Sequence, residues 1–257
     1  MAAYYQEIFS GIQGEGILVG TRQIFVRFHG CNLDCIYCDT AASKDDKPDY
    51  CEIETEAGKR SILQLQNPLT SEIIISAILQ LNKNIRHHSL AFTGGEPLLN
   101  YKELNKIANV IEQSIPIYLE TNGTLYDELS LLDFIPDHIA MDVKIPSLTG
   151  CEFDIKKMTQ KFILKYQEIS ETFISGVNYP IQLKLIFASG NLEELKNTLI
   201  WLSDICDYPL ILQPVTAGNL LVDSPTPDEV LAANEMGLQF MSDVRVIPQT
   251  HIMIKQK

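Results

Sequence analysis

Apolar and polar positions follow two rhythms that alternate along the chain. Gln23–His29 (QIFVRFH) and Ile181–Phe187 (IQLKLIF) alternate every second residue, the period of a strand with one face on a core. Ser71–Leu81 is apolar at Ile74, Ala77, Ile78 and Leu81, the spacing of one helix face. Thr70 or Ser71 is available there as N-cap, and Glu72 sits in the first turn. Ser89–Thr93 predicts a short buried strand ending in Gly94-Gly95, and Tyr101–Gln113 a helix. The series continues with a strand at Pro116–Glu120, a helix over Thr124–Leu132, a strand at His138–Val143 and a long polar-faced helix over Asp154–Phe173. Asn191-Leu-Glu-Glu194 opens a helix with a pattern like a capping box, and Pro209–Gln213 is a strand. Thr226-Pro-Asp-Glu229 starts another helix, with Thr as N-cap, Pro at N1 and Glu at N3. Val244–Ile247 adds a last strand.

Strand–helix alternation repeated in this way implies parallel βαβ units and an α/β fold. Polar and glycine-rich motifs recur at the C-terminal ends of successive strands, the face on which barrel folds build their sites. A partial (β/α)6-type, TIM-like barrel fits best, as a single domain over residues 1–257. The exception is the polar stretch Ala41–Pro68, with Asp45-Asp46, Pro48 and Gly58; a connection this long is expected to be a functional lid or a mobile excursion.

Composition narrows the classes. Apolar residues make up 46% of 257, enough for a substantial core. A net charge of −13 argues against a general nucleic-acid binder, although a few local Arg or Lys residues can still hold an anionic substrate. No run of 18 apolar residues exists, so no membrane-spanning helix is expected. The start, Met-Ala-Ala-Tyr-Tyr-Gln-Glu-Ile, lacks the basic and apolar regions of a signal peptide. Six cysteines without a secretory signal point to metal or catalysis in the cytoplasm rather than to a disulfide framework.

Three of those cysteines crowd into Cys31-Asn-Leu-Asp-Cys35-Ile-Tyr-Cys38, directly after the first alternating strand. Thiolates at i, i+4 and i+7 on one folded-back loop can converge on a soft metal centre, and iron–sulfur clusters are held by such thiolates. A closed zinc site would want a fourth Cys or His, and Cys51, His29 and His87 do not stand at the usual paired spacing. Two further motifs are Thr93-Gly94-Gly95-Glu96-Pro97 after a buried strand and Gly11-Ile-Gln-Gly-Glu-Gly16 upstream of Arg27. The first reads alone as a glycine turn, the second as a flexible N-terminal turn that matches neither a Walker A loop nor a dinucleotide fingerprint.

Taken together, the cysteine spacing with Tyr37 before its last member and the Gly-Gly-Glu-Pro turn resemble the radical S-adenosylmethionine superfamily. The run from Phe9 to Thr40 resembles more narrowly the 7-carboxy-7-deazaguanine synthase (QueE) family. Glu120-Thr-Asn-Gly-Thr124, Met141–Ser147, Leu212–Val215 and Val244–Gln249 agree; Ala41–Pro68 and Gly150–Tyr179 agree least. The resemblance implies a 4Fe–4S cluster on Cys31, Cys35 and Cys38 whose open iron is chelated by S-adenosylmethionine. One electron then yields a 5′-deoxyadenosyl radical, so that the cofactors carry the hard chemistry. It implies the ring contraction of 6-carboxy-5,6,7,8-tetrahydropterin to 7-carboxy-7-deazaguanine with loss of ammonia, S-adenosylmethionine being reused, on the route to queuosine and other deazapurines.

Carried onto this chain, Ile12, Gln13, Gly14, Arg27 and Thr93 are expected to contact the pterin, and Thr40 to ligate Mg²⁺. Tyr37, Cys38, Asp39, Gly95, Asp142, Val143 and Lys144 are expected to contact S-adenosylmethionine. An electron donor such as flavodoxin or ferredoxin and a homodimer are implied in the same way. The rival readings are a glycyl-radical-enzyme activase, which shares the cysteine spacing, and a metal-binding module without catalysis. Cys51, Cys151 and Cys206 read as packing thiols, His87-His88 as surface, Trp201 as core, and His251 as either near the site or on the surface.

Overall fold

The structure is a computed structural model and describes residues 2–38, 46–150, 154–173, 181–216 and 222–256. Its strands are β1 (Tyr5–Ile12), β2 (Arg22–Phe28), β3 (Tyr50–Glu54), β4 (Ile62–Gln66), β5 (Ser89–Gly94), β6 (Ile117–Thr121), β7 (His138–Val143), β8 (Ile181–Phe187), β9 (Leu210–Pro214) and β10 (Val244–Val246). The helices are α1 (Ser71–Asn82), α2 (Tyr101–Ile111), α3 (Tyr126–Leu129), α4 (Ile155–Phe173), α5 (Leu192–Ser203), α6 (Pro227–Leu238) and α7 (Thr250–Met253). All the strands belong to one sheet in the order β10-β9-β8-β7-β6-β5-β2-β1-β3-β4. From β2 to β10 neighbouring strands are parallel, with register such as Arg27 beside Thr93 and Asp142 beside Lys184. The sheet does not close on itself, as a partial barrel requires.

The period-2 pattern divides the sheet into two faces. Ile24, Val26 and Phe28, Leu90 and Phe92, Leu119, Ile139 and Met141, and Leu183 and Leu185 face one way. They share a continuous core with Ile74 and Ile78 of α1, Leu104, Ile107 and Ala108 of α2, Phe162 and Ile163 of α4, and Leu195 and Leu199 of α5. Each such side chain contributes about 1.5–3 kcal/mol through removal from water, so this face supplies the bulk of the stabilisation. The opposite face holds a separate small cluster of Phe9, Phe25, Ala91, Tyr118 and Ala140, into which no helix among the described residues packs.

Most predicted elements form where the pattern places them, with instructive departures. The N-terminal turn around Gly11 is part of β1, antiparallel to β2, with a register shift between Tyr5 and Glu7. The stretch expected as a lid or mobile excursion contains β3 and β4, a hairpin that extends the sheet through β1. The helix expected over Thr124–Leu132 shrinks to the four-residue α3. The Thr70 side chain makes no cap bond, and the Ser71 hydroxyl instead donates to Glu103 Oε2 at 2.7 Å. Asn191 forms no capping box, its Nδ2 donating to Glu194 Oε2 at 3.2 Å. The box at Thr226 does form: its Oγ1 accepts from the Glu229 N–H at 3.2 Å while its own N–H donates to Glu229 Oε2 at 2.7 Å. His87, read as surface, is buried, and Trp201 is half-buried at the edge of the core. Cys51 and Cys206 pack as thiols, while Cys151 lies outside the described residues.

Candidate active site

On the parallel strands, alternation carries each of the four cluster residues to a polar residue two positions further along. Phe25 leads to Arg27, Ala91 to Thr93, Tyr118 to Glu120, and Ala140 to Asp142; on β8, Gln182 leads to Lys184. The result is an apolar floor with a polar tier nearer the C-terminal ends of the strands.

Two linked networks fill that tier. In the first, Thr93 Oγ1 donates to Glu120 Oε2 at 2.5 Å and Gln13 Nε2 donates to Glu120 Oε1 at 3.0 Å. Gln13 Nε2 also donates to Gln23 Oε1 at 2.9 Å, and Gln13 Oε1 accepts from the Glu15 N–H at 3.0 Å. The backbone of Gln13 is paired as well, with Thr21 and Gly20. Gln13 is therefore spent on fixing the loop after β1 and on aiming Glu120. Burial raises the Glu120 carboxyl above the usual carboxylate range; Lys184 opposes that shift and Glu15 adds to it.

In the second network, Lys184 Nζ stands 2.5 Å from Glu15 Oε2 and 3.1 Å from Asp142 Oδ1, and Lys144 Nζ 2.8 Å from Asp142 Oδ2. Gln249 Nε2 donates to Glu15 Oε1 at 2.9 Å. Burial alone would raise Glu15, but Lys184 and the hydrogen bonds from Lys184 and Gln249 hold it at about 2. Burial works against the charge on Lys184 and Lys144, yet Asp142 beside both, with Glu15 at Lys184, keeps each well above the ordinary lysine value. Lys144 also lies over the Tyr37 ring at 5.4 Å, joining this network to the cysteine loop.

The cysteine loop is braced from below by two strand-end turns. Gly95 must be glycine because a Cβ there would stand 1.9 Å from the Gly30 carbonyl; the close approach is to the cysteine loop itself. The Glu96 N–H donates to that carbonyl at 2.8 Å. The Glu96 carboxylate accepts from the Leu98 and Asn122 N–H groups and from Thr121 Oγ1, and burial nevertheless pushes it up to about 7. Asn122 Nδ2 lies 2.8 Å from Asn32 Oδ1 and 3.9 Å from Cys31 Sγ, and the Leu33 N–H points at the same sulfur at 3.5 Å. Among the described residues no three Cys, His, Asp or Glu side chains are already gathered around one point. The donor set itself is three soft thiol ligands on a single loop, with amide N–H groups beside Cys31 Sγ. It suits an iron–sulfur cluster with one iron left open.

The expected site residues are placed unevenly. Arg27, Thr93, Asp142 and Lys144 meet in the polar tier. Arg27 donates through Nε to Glu7 at 3.0 Å and lies over the Phe9 ring at 5.9 Å, so the strand-surface ion pair exists and is made through Nε. Ile12 ends β1 opposite Arg22. Gly14 sits against His251, whose ring atoms would be 2.1–2.6 Å from a Cβ, and its carbonyl accepts from the Thr250 N–H at 2.9 Å; His251 thus approaches the site. The Val143 side chain points into the helix-side core, leaving only its backbone for the site. Tyr37 packs against the core edge. Asp39 and Thr40 lie outside the described residues. Residue-by-residue reading missed Glu15, Glu96, Glu120, Gln182, Lys184 and Gln249. Glu120 heads a strand-end motif, and Lys184 is the polar beat of IQLKLIF, so a signal was present for both.

Comparison with known proteins agrees with this architecture. Residues 25–173 match the Radical SAM superfamily. The chain is 36% identical over 257 residues to 7-carboxy-7-deazaguanine synthase of Geobacter sulfurreducens, covering 99% of this chain and 98% of that protein. It is 31% identical over 254 residues to the enzyme of the same name from Archaeoglobus fulgidus, covering 98% and 97%. Among solved structures, QueE from Escherichia coli superposes with a TM-score of 0.61 at 22% identity, covering 98% of this chain and 95% of that one.

Proposed function

We infer that this chain, which belongs to the 7-carboxy-7-deazaguanine synthase family of the radical S-adenosylmethionine superfamily, contracts the ring of 6-carboxy-5,6,7,8-tetrahydropterin. The product is 7-carboxy-7-deazaguanine, ammonia leaves, and the chain is a carbon–nitrogen lyase. The observation that carries the substrate is the polar tier above the Phe9–Phe25–Ala91–Tyr118–Ala140 floor. A flat bicyclic ring needs an apolar bed, and its amide and exocyclic amine present adjacent donors that suit a half-buried carboxylate. Glu120, aimed by Gln13 and Thr93, supplies that acceptor. Arg27 supplies a fork for the substrate carboxylate through the nitrogens that Glu7 does not occupy.

Cys31, Cys35 and Cys38 would hold the cluster, and S-adenosylmethionine would sit along Tyr37, Cys38, Asp39, Gly95 and the Asp142–Lys144 edge. When bound, cluster and cofactor supply one-electron cleavage chemistry that no side chain here can perform. The protein orients and excludes water. Lys184 and Lys144 balance the half-buried Asp142 and Glu15, so the tier stays rigid beside a reactive centre.

We further propose Mg²⁺ at Thr40, since one hydroxyl completed by substrate and water suits an octahedral oxygen site. A homodimer, a flavodoxin or ferredoxin donor, a cytoplasmic location and a single domain over 1–257 complete the reading. Their support is the family resemblance together with a sheet that runs without interruption from the β4 edge to the β10 edge. No helix among the described residues is long and apolar enough to cross a membrane.

Anaerobically reconstituted protein given reductant, S-adenosylmethionine, Mg²⁺ and the carboxy-tetrahydropterin should form deazaguanine product through many turnovers per cofactor. Deoxyadenosine accumulating one-for-one with product would contradict this. Arg27→Ala should raise KM and leave the cluster's visible spectrum intact; loss of that spectrum would make Arg27 structural.

A further inference from the structure

The opposite end of the strands holds a second cleft, of about 850 Å³, that the radical chemistry does not use. Arg22 at the start of β2, Lys83 and Arg86 after α1, His87 and His88 before β5, and His138 at the start of β7 line it. Its remaining lining residues are Thr21, Asn82, Asn84, Ile85, Ser114 and Pro116, so no acid lines it, although acids outnumber bases 33 to 20 in the chain. Arg22 spends its Nε on Ser10 Oγ at 2.9 Å, a neutral partner, and among the described residues neither Lys83 nor Arg86 forms an ion pair.

The two acids that act on the histidines are engaged elsewhere. Asp137 accepts from the Ile117 N–H at 2.7 Å, and Glu54 accepts from the Ser10 and Arg60 N–H groups at 2.8 and 2.9 Å. His88 and His138 stand with ring centroids 5.6 Å apart, and His138 Nδ1 is shielded from solvent with no partner. His87, held between Ser10 Oγ and Asn82 Oδ1, is kept neutral by burial and by Arg22, down to about 4. The permanent positive charges of the cleft are Arg22, Lys83 and Arg86.

Three cations and no carboxylate in the lining of one concavity of ligand size make a locally positive patch on a chain of net charge −13. We propose that this cleft binds a small phosphate-bearing anion, with Arg22, Lys83 and Arg86 on the phosphoryl oxygens and the His88–His138 pair beside them. Phosphate geometry suits two guanidinium forks and a lysine point charge. The site is separate from the substrate tier, being at the N-terminal rather than the C-terminal ends of β2, β5 and β7.

The test is calorimetric titration of the full cluster-bearing chain, without Mg²⁺, with inorganic tripolyphosphate in one arm and adenosine triphosphate in the other. Saturable 1:1 binding should appear and weaken about tenfold or more in Lys83→Ala/Arg86→Ala, as expected for loss of charge-assisted contacts. Both positions are exposed, so the variant should keep its fold, its cluster spectrum and its deazaguanine turnover without added anion. Equal affinity in the two arms would show that the phosphates alone are read; tighter nucleoside binding would add ring stacking. No saturable binding in either arm, or binding that the double variant leaves unchanged, would overturn the proposal.

Discussion

On β7, Ile139 and Met141 face the helices while Ala140 and Asp142 face the other way, and the same division repeats from β2 to β8. The helix-side face is continuous hydrocarbon, where every buried group gains. On the inner face, Lys144 and Lys184 are buried and Glu15, Glu120 and Asp142 half-buried, and the opposite charges balance one another. Neighbouring residues of one strand therefore do opposite jobs, one stabilising the fold and the next drawing on that stability to hold a site.

That division can be broken first at Lys184. Lys184→Met removes the shared partner of Glu15 and Asp142 and should lower unfolding stability by about 3–5 kcal/mol in urea titrations. Adding Glu15→Gln, with Asp142 left to balance Lys144, should return a good part of the loss; no recovery would mean that packing rather than charge balance holds the tier. The helix-side counterpart Phe92→Ala should also lose about 3–5 kcal/mol but keep kcat/KM per folded molecule. Next is Glu120→Gln, which replaces one of the two accepting oxygens by an amide donor and removes the acceptor charge offered to the substrate ring. It should lower kcat/KM about a hundredfold with little change in the unfolding midpoint, as activity assays beside urea titrations would show.

The inner face also carries two carboxylates with opposite acid–base signs. Glu15, held at about 2, contributes stability that is complete above its ordinary value of 4.5 and is lost as pH falls through about 2. Glu96, raised to about 7 by burial, works the other way, and stability drains as pH rises from 4.5 to about 7. Urea midpoints measured from pH 2 to 7.5 should show a shallower acid slope in Glu15→Gln and a shallower upper slope in Glu96→Gln, Glu120 supplying what remains of the latter. The smallest effect belongs to neither face: Thr226→Ala removes the cap of α6 and should lower stability by about 1 kcal/mol without touching activity.

How far the sequence foretold this depends on sequence separation. Strands β5, β7 and β8 and helices α1, α2 and α4 were legible because a local period specified them. β1 was not, since Tyr5, Ile8, Phe9 and Ile12 fall at helix-like spacing around a register shift. The β3–β4 hairpin was hidden by polar flanks and by strands of only five residues each. The cysteine loop and the glycine turn were readable as motifs because their members are contiguous. Lys184 and Glu15 meet across 169 positions, and alternation says which residues share a face without saying what that face will meet.

The pairing of Glu15 with Lys184 and Gln249 also sets an order of events during synthesis. Glu15 leaves the ribosome 169 residues before Lys184 and 234 before Gln249. At typical elongation rates that is a wait on the order of ten seconds or more. The helix-side core of β2, β5 and β6 can condense in that interval, whereas the carboxylate at the mouth of the site must stay hydrated until its partners emerge. The catalytic chamber is therefore among the last parts of the chain to close, so no half-made molecule can present a finished radical site.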